Sequence, residues 1–304
     1  MSAILSTKDL TKAYQGYLAV NHLNMNIQSG TIYGLLGRNG AGKTTLMKMI
    51  LNLVNKTGGE IYFLDNLLSS KDASAYRQIG SIIESPCFYS NLTAFENLKI
   101  LSWIRGNYCP EEINQILEMV GLENDVHKIF SAYSLGMKQR LGIAAALIHK
   151  PKLLILDEPM NGLDPIGIQE LRRILHTLSR VNHVTILISS HLLSEIELIA
   201  DVIGVMHHGQ LIDEIDLKTF HETQSKIIEL QVNQSLSASK ILNDLNITFE
   251  MTKNQEIFIS KSSLDICEIN KLLVENNISV RKLLTRTKTV EEYFHQMIGG
   301  HDLG

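Results

Sequence analysis

The sequence is poor in cysteine: its three thiols, Cys87, Cys109 and Cys267, lie far apart and form no C-x-x-C spacing. This scarcity argues against a disulfide framework and against a zinc site, so we expect buried or idle thiols. Long apolar runs are missing as well. Stretches such as residues 141–148 and 153–156 fall well short of the roughly 20 apolar residues that cross a bilayer, so we expect no membrane span.

An excess of charge of either sign is also absent, because 28 basic side chains stand against 32 acidic ones. This near balance predicts no nucleic-acid partner. The first residues lack the basic, apolar, small-residue order of a secretory signal, so we expect a cytoplasmic protein. No internal repeat or low-complexity tract occurs, and a length of 304 residues favours one large domain with a smaller one.

Local patterns indicate an α/β domain in the first two thirds of the chain. Apolar patterning predicts strands over residues 3–10, 18–27, 31–36, 152–156 and 184–189 and a hairpin over 202–207 and 210–214. Helical spacing predicts helices over 44–53, 94–105 after a Thr93 cap, 111–120 after Pro110, 135–149 and 167–180. Strands that alternate with helices are typical of a parallel sheet, and residues from about 88 to 150 form a helical insertion.

After residue 216 the pattern changes. Strand, helix, strand, strand, helix and strand follow over 227–232, 236–245, 247–251, 256–260, 264–276 and 278–284, with a last helix over 290–298. The order βαββαβ is that of small ferredoxin-like domains. We therefore predict an α/β domain over 1–216, with a helical subdomain over about 88–150, and an α+β accessory domain over 217–304.

The pattern G-x-x-x-x-G-K-[ST] lies between a predicted strand and a predicted helix. Its glycines let backbone N–H groups point at phosphates, and the helix N-terminus adds positive charge at the same place. Lys43 is placed to reach the β- and γ-phosphates, and Thr44 to offer its hydroxyl to Mg²⁺. A chance glycine turn is the competing interpretation. The predicted nucleotide-binding residues are Gly37, Arg38, Asn39, Gly40, Ala41, Gly42, Lys43, Thr44 and Thr45.

A pair of carboxylates, Asp157 and Glu158, follows the apolar strand at 153–156. Adjacent residues at a strand end point in different directions, so Asp157 can bind Mg²⁺ while Glu158 holds an attacking water as general base. Alone, such a pair could be a helix cap. Together with the phosphate loop, it predicts catalysis.

Further segments resemble the motifs of ABC ATPases, a family of P-loop NTPases. Residues 133–140, Y-S-L-G-M-K-Q-R, resemble the signature motif, and residues 161–164, N-G-L-D, resemble the loop that follows the second carboxylate. His191 ends a segment similar to the histidine switch, and Tyr14 falls where the family places an aromatic that stacks on adenine. The resemblance covers residues 4 to about 216, in order.

The resemblance implies the ATP-hydrolysing subunit of a transporter that works on the cytoplasmic face of the membrane with separate permease subunits. It also implies a homodimer in which Ser134 and Gly136 of one copy close on the γ-phosphate held by the other, and a catalytic role for His191. On the residues alone, Ser134 could be an ordinary helix cap and His191 a hydrogen-bonded core residue.

Glu84 departs from the family, which usually has a glutamine that touches Mg²⁺ and the attacking water and links to the membrane subunit. A carboxylate still binds a hard cation but adds negative charge near the γ-phosphate, so Glu84 is both a candidate metal ligand and a candidate catalytic residue. Leu135 and Met137 replace the usual glycine and glutamine of the signature. With these features the chain resembles the ATPase subunits of lantibiotic-immunity and bacitracin-type efflux systems.

Other functions stay open at this point. The chain could power export of another substrate, or it could be a soluble ABC ATPase that acts on ribosomes or DNA, although it lacks a second ATPase domain and long coiled-coil arms. It could also be a regulatory nucleotide-binding protein whose C-terminal domain senses a small ligand. A packing or dimer-stabilising role is the preferred interpretation of that domain.

Overall fold

The computed structural model describes residues 3–106, 108–223, 226–252, 256–261, 264–287 and 289–297. The chain divides into two units, Met1–Leu217 and Lys218–Gly304, and the predicted boundary at residue 216 lies one residue from this division. In the described ranges, no helix is both long enough and apolar enough to cross a membrane.

The first unit contains two sheets and the helices around them. Its strands are β1 (Ala3–Tyr14), β2 (Tyr17–Gln28), β3 (Ile32–Leu36), β4 (Gly58–Phe63), β5 (Asn66–Leu67), β6 (Ile79–Ile82), β7 (Leu153–Leu156), β8 (Thr185–Ser190), β9 (Val202–His207) and β10 (Gln210–Asp216). Its helices are α1 (Lys43–Ile50), α2 (Ala73–Tyr76), α3 (Ala94–Ile104), α4 (Pro110–Met119), α5 (Leu135–Leu147), α6 (Pro165–Arg180) and α7 (Leu193–Ile196).

The larger sheet has the strand order β10-β9-β3-β8-β7-β6 and is parallel except for the β9–β10 hairpin. Every residue of β3, β7 and β8 is buried, as expected for strands covered on both faces. Because these three strands are parallel neighbours, their carboxyl ends meet at one edge of the sheet. The phosphate loop, the carboxylate pair and the histidine motif each follow one of these strands, so the predicted parallel α/β fold places them together.

The helical insertion lies between β6 and β7, where it was predicted. Thr93 caps α3 in a capping box with Glu96, and Pro110 opens α4. Upstream of the insertion, helix α2 and the strands β4 and β5 were not predicted from the sequence. These strands join β1 and β2 in an antiparallel sheet of order β2-β1-β4-β5. Sequence analysis also ended β1 four residues early, at Leu10 instead of Tyr14.

Helix α8 (Leu217–Thr223), also not predicted, precedes the second set of strands and helices. These are β11 (Lys226–Val232), α9 (Ser235–Asp244), β12 (Thr248–Met251), β13 (Ile257–Lys261), α10 (Ile266–Glu275), β14 (Val280–Thr287) and α11 (Val290–Met297). The element order is βαββαβ, and the sheet is antiparallel with the order β12-β13-β11-β14. The assignment of this unit to the ferredoxin-like domains stays a prediction, and residue 298, the predicted end of the last helix, lies outside the described residues.

Candidate functional site

The phosphate loop curls between β3 and α1 in a conformation that requires glycine. Gly42 has a φ of 107°, and a Cβ there would lie 2.2 Å from the Ala19 carbonyl oxygen. Only glycine tolerates both the left-handed backbone and that approach. The buried ammonium of Lys43 donates to the carbonyl oxygen of Gly37 at 2.5 Å and to that of Arg38 at 3.3 Å. The loop therefore wraps around a fixed positive charge.

Beside the loop lies an open cleft of about 260 Å³. The predicted residues Tyr14 and Arg38 to Thr45 line it together with Glu158, and Tyr17 and Ala19 complete the lining. Tyr17 was not predicted, although an aromatic residue directly after the Gly16 turn and three residues after Tyr14 was a usable signal. The Tyr17 hydroxyl donates to the Gly40 carbonyl oxygen at 3.1 Å and so braces the loop. Tyr14 is 48% exposed, which leaves its ring available for stacking.

Asp157 is nearly buried and hydrogen-bonded at both carboxylate oxygens. The Thr44 hydroxyl donates to Oδ2 at 2.7 Å, and the Ser189 hydroxyl donates to Oδ1 at 2.6 Å. Ser189 also accepts a hydrogen bond of 2.8 Å from the backbone N–H of Glu158. The sequence motif around His191 included Ser189 but gave it no role, and the structure shows that it connects β8 to the end of β7.

Glu158 lies in the left-handed backbone region, with a φ of 45°, and its side chain has a different set of partners from that of Asp157. Its Oε2 contacts Nδ1 of His191 at 2.9 Å and accepts from the Asn161 amide at 2.5 Å. Its Oε1 lies 3.3 Å from the Lys43 ammonium. Partial burial raises the pKa of Glu158, but the hydrogen bonds from Asn161 and His191 and the Lys43 charge outweigh it and lower the pKa below its ordinary value.

Glu84 follows β6 and is 72% exposed at its side chain. Its Oε1 accepts a hydrogen bond of 2.8 Å from the ammonium of Lys48, on α1. That hydrogen bond is the main reason why the pKa of the Glu84 carboxyl lies below its usual value. Glu84 also has a φ of 67°, unusual for a residue with a side chain. Sequence analysis gave no signal for the partnership with Lys48.

Ser134 is the N-cap of α5, and its hydroxyl accepts a hydrogen bond of 3.3 Å from the N–H of Met137. Beside it, Leu135 is 51% exposed. Within the described part of the chain, neither Ser134 nor Gly136 lines the cleft at the phosphate loop. One copy thus brings together Lys43, Thr44, Asp157, Glu158 and His191, but not the signature residues.

The donors at the end of β7 fit a magnesium ion. Thr44 and Asp157 supply hard oxygen atoms within hydrogen-bond distance of each other. Among the described residues, no group of three or more His, Cys, Asp or Glu side chains forms an all-protein metal cage. Mg²⁺ is usually held by one or two protein ligands together with phosphates and water, so this sparse donor set suits it.

The three thiols are free. Cys87 and Cys267 are exposed and Cys109 is half-buried, so the expectation of buried thiols is wrong, and that of idle thiols stays a prediction.

Comparison with known proteins agrees with this geometry. The family described as ABC transporter matches residues 20–161. The bacitracin transport ATP-binding protein BcrA of Enterococcus faecalis is 47% identical over 99% of this chain and 98% of its own. The lantibiotic transport ATP-binding protein SrtF of Streptococcus pyogenes is 46% identical over 77% of this chain and 98% of its own.

A solved structure extends the likeness to three dimensions. A dimeric ATP-binding cassette in a post-hydrolysis state, bound to ADP and Pi, matches with a TM-score of 0.63 and 25% identity, over 70% of this chain and 98% of that chain. The chain therefore binds ATP and is an ATPase that serves transporter complexes with permease partners. It belongs to the ATP-binding proteins of ABC transporters.

Proposed function

We propose that this chain powers the export of a peptide antibiotic. Export would give the cell that expresses the transporter immunity or resistance to that antibiotic. The observation that carries the proposal is the 47% identity to a bacitracin transport ATP-binding protein, which extends over nearly the whole of both chains. The carboxylate at Glu84, where most ABC ATPases have an amide, supports the same assignment. In this proposal the chain lies on the cytoplasmic face of the membrane, against separate permease subunits.

Thr44 and Asp157 would hold Mg²⁺, and Lys43 and the loop would hold the phosphates of ATP. The ion, when bound, neutralises charge that develops on the β- and γ-phosphates. Tyr14, beside the loop, would stack on the adenine. In the structure the ammonium of Lys43 lies 3.3 Å from Oε1 of Glu158 and neutralises its charge. When phosphate is bound, its larger negative charge would attract the Lys43 ammonium more strongly than Glu158 does. That exchange would leave Glu158 with two partners, Asn161 and His191.

Glu158 is the proposed general base. It would accept the proton of the attacking water, and the lowered pKa keeps it ionised at neutral pH, as this role requires. His191 contacts Oε2 and would fix the orientation of the carboxylate, so that Oε1 faces the cleft. Glu84, held by Lys48, would approach the metal and the water only after it leaves that partner.

The active form is proposed to be a homodimer. Ser134 and Gly136 stand at the N-terminus of α5, where free backbone N–H groups and the helix dipole favour an anion. Because they do not line the cleft of their own copy, they are available to the γ-phosphate held by a second copy. Two ATP molecules would then lie between two subunits, and one subunit alone would hydrolyse ATP poorly.

The permease is proposed to dock in a groove of about 690 Å³ between α2, the end of α3 and the end of α5. Lys71, Arg77 and Arg105 line it, together with His149, and no carboxylate is among its lining residues. Burial and the neighbouring Arg105 lower the pKa of His149, so this histidine is neutral at pH 7 and accepts from Arg105 at Nδ1. We therefore expect the docking segment of the permease to carry acidic side chains.

A resistance assay tests the function. The chain is expressed with the membrane subunit that co-purifies with it, and the inhibitory concentrations of bacitracin and of a lantibiotic are measured. We expect the wild-type pair to raise one of them and the Glu158→Gln variant to raise neither. Unchanged inhibitory concentrations with an active ATPase would assign the transporter to another substrate, and a chain that never co-purifies with a membrane protein would contradict the transport proposal.

A further inference from the structure

The carboxylate of Glu84 is held one helical turn away from the metal-binding end of α1. Lys48, its partner, is four residues after Thr44 on α1, so both side chains lie on the same face of the helix. One turn of an α-helix rises about 5.4 Å. The Thr44 hydroxyl contacts Asp157, and the Lys48 ammonium contacts Glu84. The carboxylates of Asp157 and Glu84 therefore lie beside successive turns of one face of α1.

Lys48 lies in the electrostatic field of both carboxylates. Its hydrogen bond with Glu84 raises the pKa of Lys48 most, and the charge of Asp157 adds to the increase. Lys48 is 30% exposed and Glu84 72% exposed at the side chain, so the pair stands in solvent. Exposed ion pairs contribute little to folding stability. This pair can therefore hold the Glu84 carboxylate in place, and its dissociation requires little free energy.

The backbone at Glu84 supports a positional role. A φ of 67° is uncommon for a residue with a side chain, and such conformations concentrate at functional sites. The ion pair stabilises the loop in that conformation, because it ties the side chain of Glu84 to α1. If Glu84 left Lys48, the loop could relax as the carboxylate moved along the helix face toward Thr44.

We propose that Lys48 is a positioning residue that holds Glu84 away from the metal site, and that Mg²⁺ bound with ATP competes with Lys48 for this carboxylate. While the pair holds, the Lys48 ammonium compensates the negative charge that Glu84 carries where the usual residue is an uncharged amide. The inference rests on the proposed placement of Glu84 at the nucleotide site.

The test is a double-mutant cycle read out by binding. Mg²⁺-dependent binding of N-methylanthraniloyl-ATP is titrated for wild type, Lys48→Met, Glu84→Gln and the double variant. We expect Lys48→Met to lower the half-saturating Mg²⁺ concentration about two- to fivefold, the factor that an exposed ion pair supplies, because Glu84 is no longer held elsewhere. Glu84→Gln should raise the half-saturating concentration, and in that background Lys48→Met should change nothing.

Two control variants distinguish the specific pairing of Lys48 with Glu84 from a general effect of removing a positive charge. Lys48→Arg keeps a cation beside Glu84 and should bind with the wild-type Mg²⁺ requirement. Lys150→Met breaks another exposed ion pair, in which the Lys150 ammonium lies 2.7 Å from Oε1 of Glu112 in the helical insertion. This variant should also keep the wild-type Mg²⁺ requirement.

Three results would overturn the inference. If Lys48→Met leaves the Mg²⁺ requirement unchanged while Glu84→Gln changes it, Glu84 acts at the metal but Lys48 does not position it. If Lys48→Met has the same effect in both backgrounds, Lys48 acts on the nucleotide and not through Glu84. If Glu84→Gln binds like wild type, the proposed role of Glu84 fails, and this inference fails with it.

Discussion

Glu158 combines the two properties that a general base needs, a fixed position and an ionised carboxylate. Asn161, His191 and Lys43 supply both, since they orient its oxygens and lower its pKa. We predict that Glu158→Gln, which keeps the shape of the side chain, still binds ATP but hydrolyses it about 10²- to 10⁴-fold more slowly. Steady-state ATPase rates and equilibrium nucleotide binding measure the two effects separately.

A matched control for this variant is Glu123→Gln, an exposed glutamate in the helical insertion, which should keep the wild-type rate. Hydrolysis by Glu158→Gln within tenfold of wild type would remove Glu158 from the role of base. Lys43→Met gives the contrasting phenotype, because it removes the buried cation of the loop and should therefore abolish binding as well.

At the level of single residues, the sequence predicted which side chains follow the strand ends and missed the contacts that depend on packing. Asp157 and Glu158 were predictable because adjacent residues leave a strand in different directions. The pairing of Lys48 with Glu84 was not, because 36 residues separate them and only the approach of α1 to the end of β6 brings them together. Neither residue carries a local pattern that names its partner.

At the level of elements, the fluorescence of a tryptophan on α3 can report movement of this helix. Trp103, the only tryptophan, is 57% exposed, its ring packs edge-on against Tyr108 at 5.4 Å, and the Lys99 ammonium lies 4.7 Å from its centroid. The helix follows the loop of Glu84. We predict that Mg²⁺ with ATP changes the emission of Trp103, because movement of this loop would shift α3 and alter the contacts of the ring.

Fluorescence titration measures this change. Trp103→Phe should lose the signal and keep ATPase activity, and Lys43→Met should keep the tryptophan and lose its response. An emission spectrum indifferent to nucleotide, under conditions where nucleotide binding is demonstrated, would show that α3 does not move.

A charge cluster joins β11 to β14 in the second unit. Glu229 is 8% exposed and lies opposite Leu284, so its diagonal neighbours are Lys282 and Arg286, which both contact its carboxylate. The hydrogen bond from Lys282 lowers the pKa of Glu229 most, against the opposing effect of burial, and Arg286 lowers it further. The ionised form of Glu229 is thus favoured by folding.

We predict that Glu229→Gln lowers the free energy of unfolding by about 1 to 3 kcal/mol at pH 7. A carboxyl whose pKa is depressed by folding stabilises the protein above its unfolded pKa of about 4.3, and this contribution disappears as the pH falls through the folded value. The difference between wild type and variant should therefore shrink below pH 4.3.

Calorimetric unfolding of the full chain at pH 7 and at about pH 3.5 measures this difference. Glu275→Gln is the control, because its exposed pair with Lys271 spans 3.9 Å and should contribute little at either pH. An equal loss of stability at both pH values would mean that the amide disturbs packing and that the ionised carboxylate is not the cause.

Element prediction followed the same division as residue prediction. The buried strands β3, β7 and β8 and the capped helices α3, α5, α6 and α10 carry strong local patterns, and all of them were found. Helix α2 is also capped, by Asp72, but it is only four residues long and was missed. Strands β4 and β5 were missed because β4 opens with Gly58 and Gly59 and β5 is two residues long, so neither has a clear period. They are strands because β4 pairs with β1 across more than 45 residues of sequence, as in Leu5 with Phe63.

For the whole molecule, the separation of the signature from the phosphate loop has a direct consequence. Each chain has one cleft with Lys43, Asp157 and Glu158 and, elsewhere on its surface, one helix N-terminus at Ser134 with an exposed Leu135 beside it. In the proposed homodimer, two copies would complete two sites at once, because each would supply what the other lacks. A closed pair with two-fold symmetry would satisfy this requirement.

We predict that Ser134→Asp abolishes ATP-dependent dimerisation without unfolding α5. Aspartate caps a helix about as well as serine, so the hydrogen bond from the Met137 N–H can be kept, whereas the new carboxylate would face the γ-phosphate of the partner copy. The experiment uses the Glu158→Gln background, which should retain ATP. Sedimentation velocity with Mg²⁺ and ATP should show a dimer for Glu158→Gln alone and a monomer for the double variant with Ser134→Asp. Ser237→Asp, at an exposed position in the first turn of α9, adds the same charge away from the signature and should stay dimeric. A Ser134→Asp variant that still dimerises with ATP would place the second half of the site elsewhere.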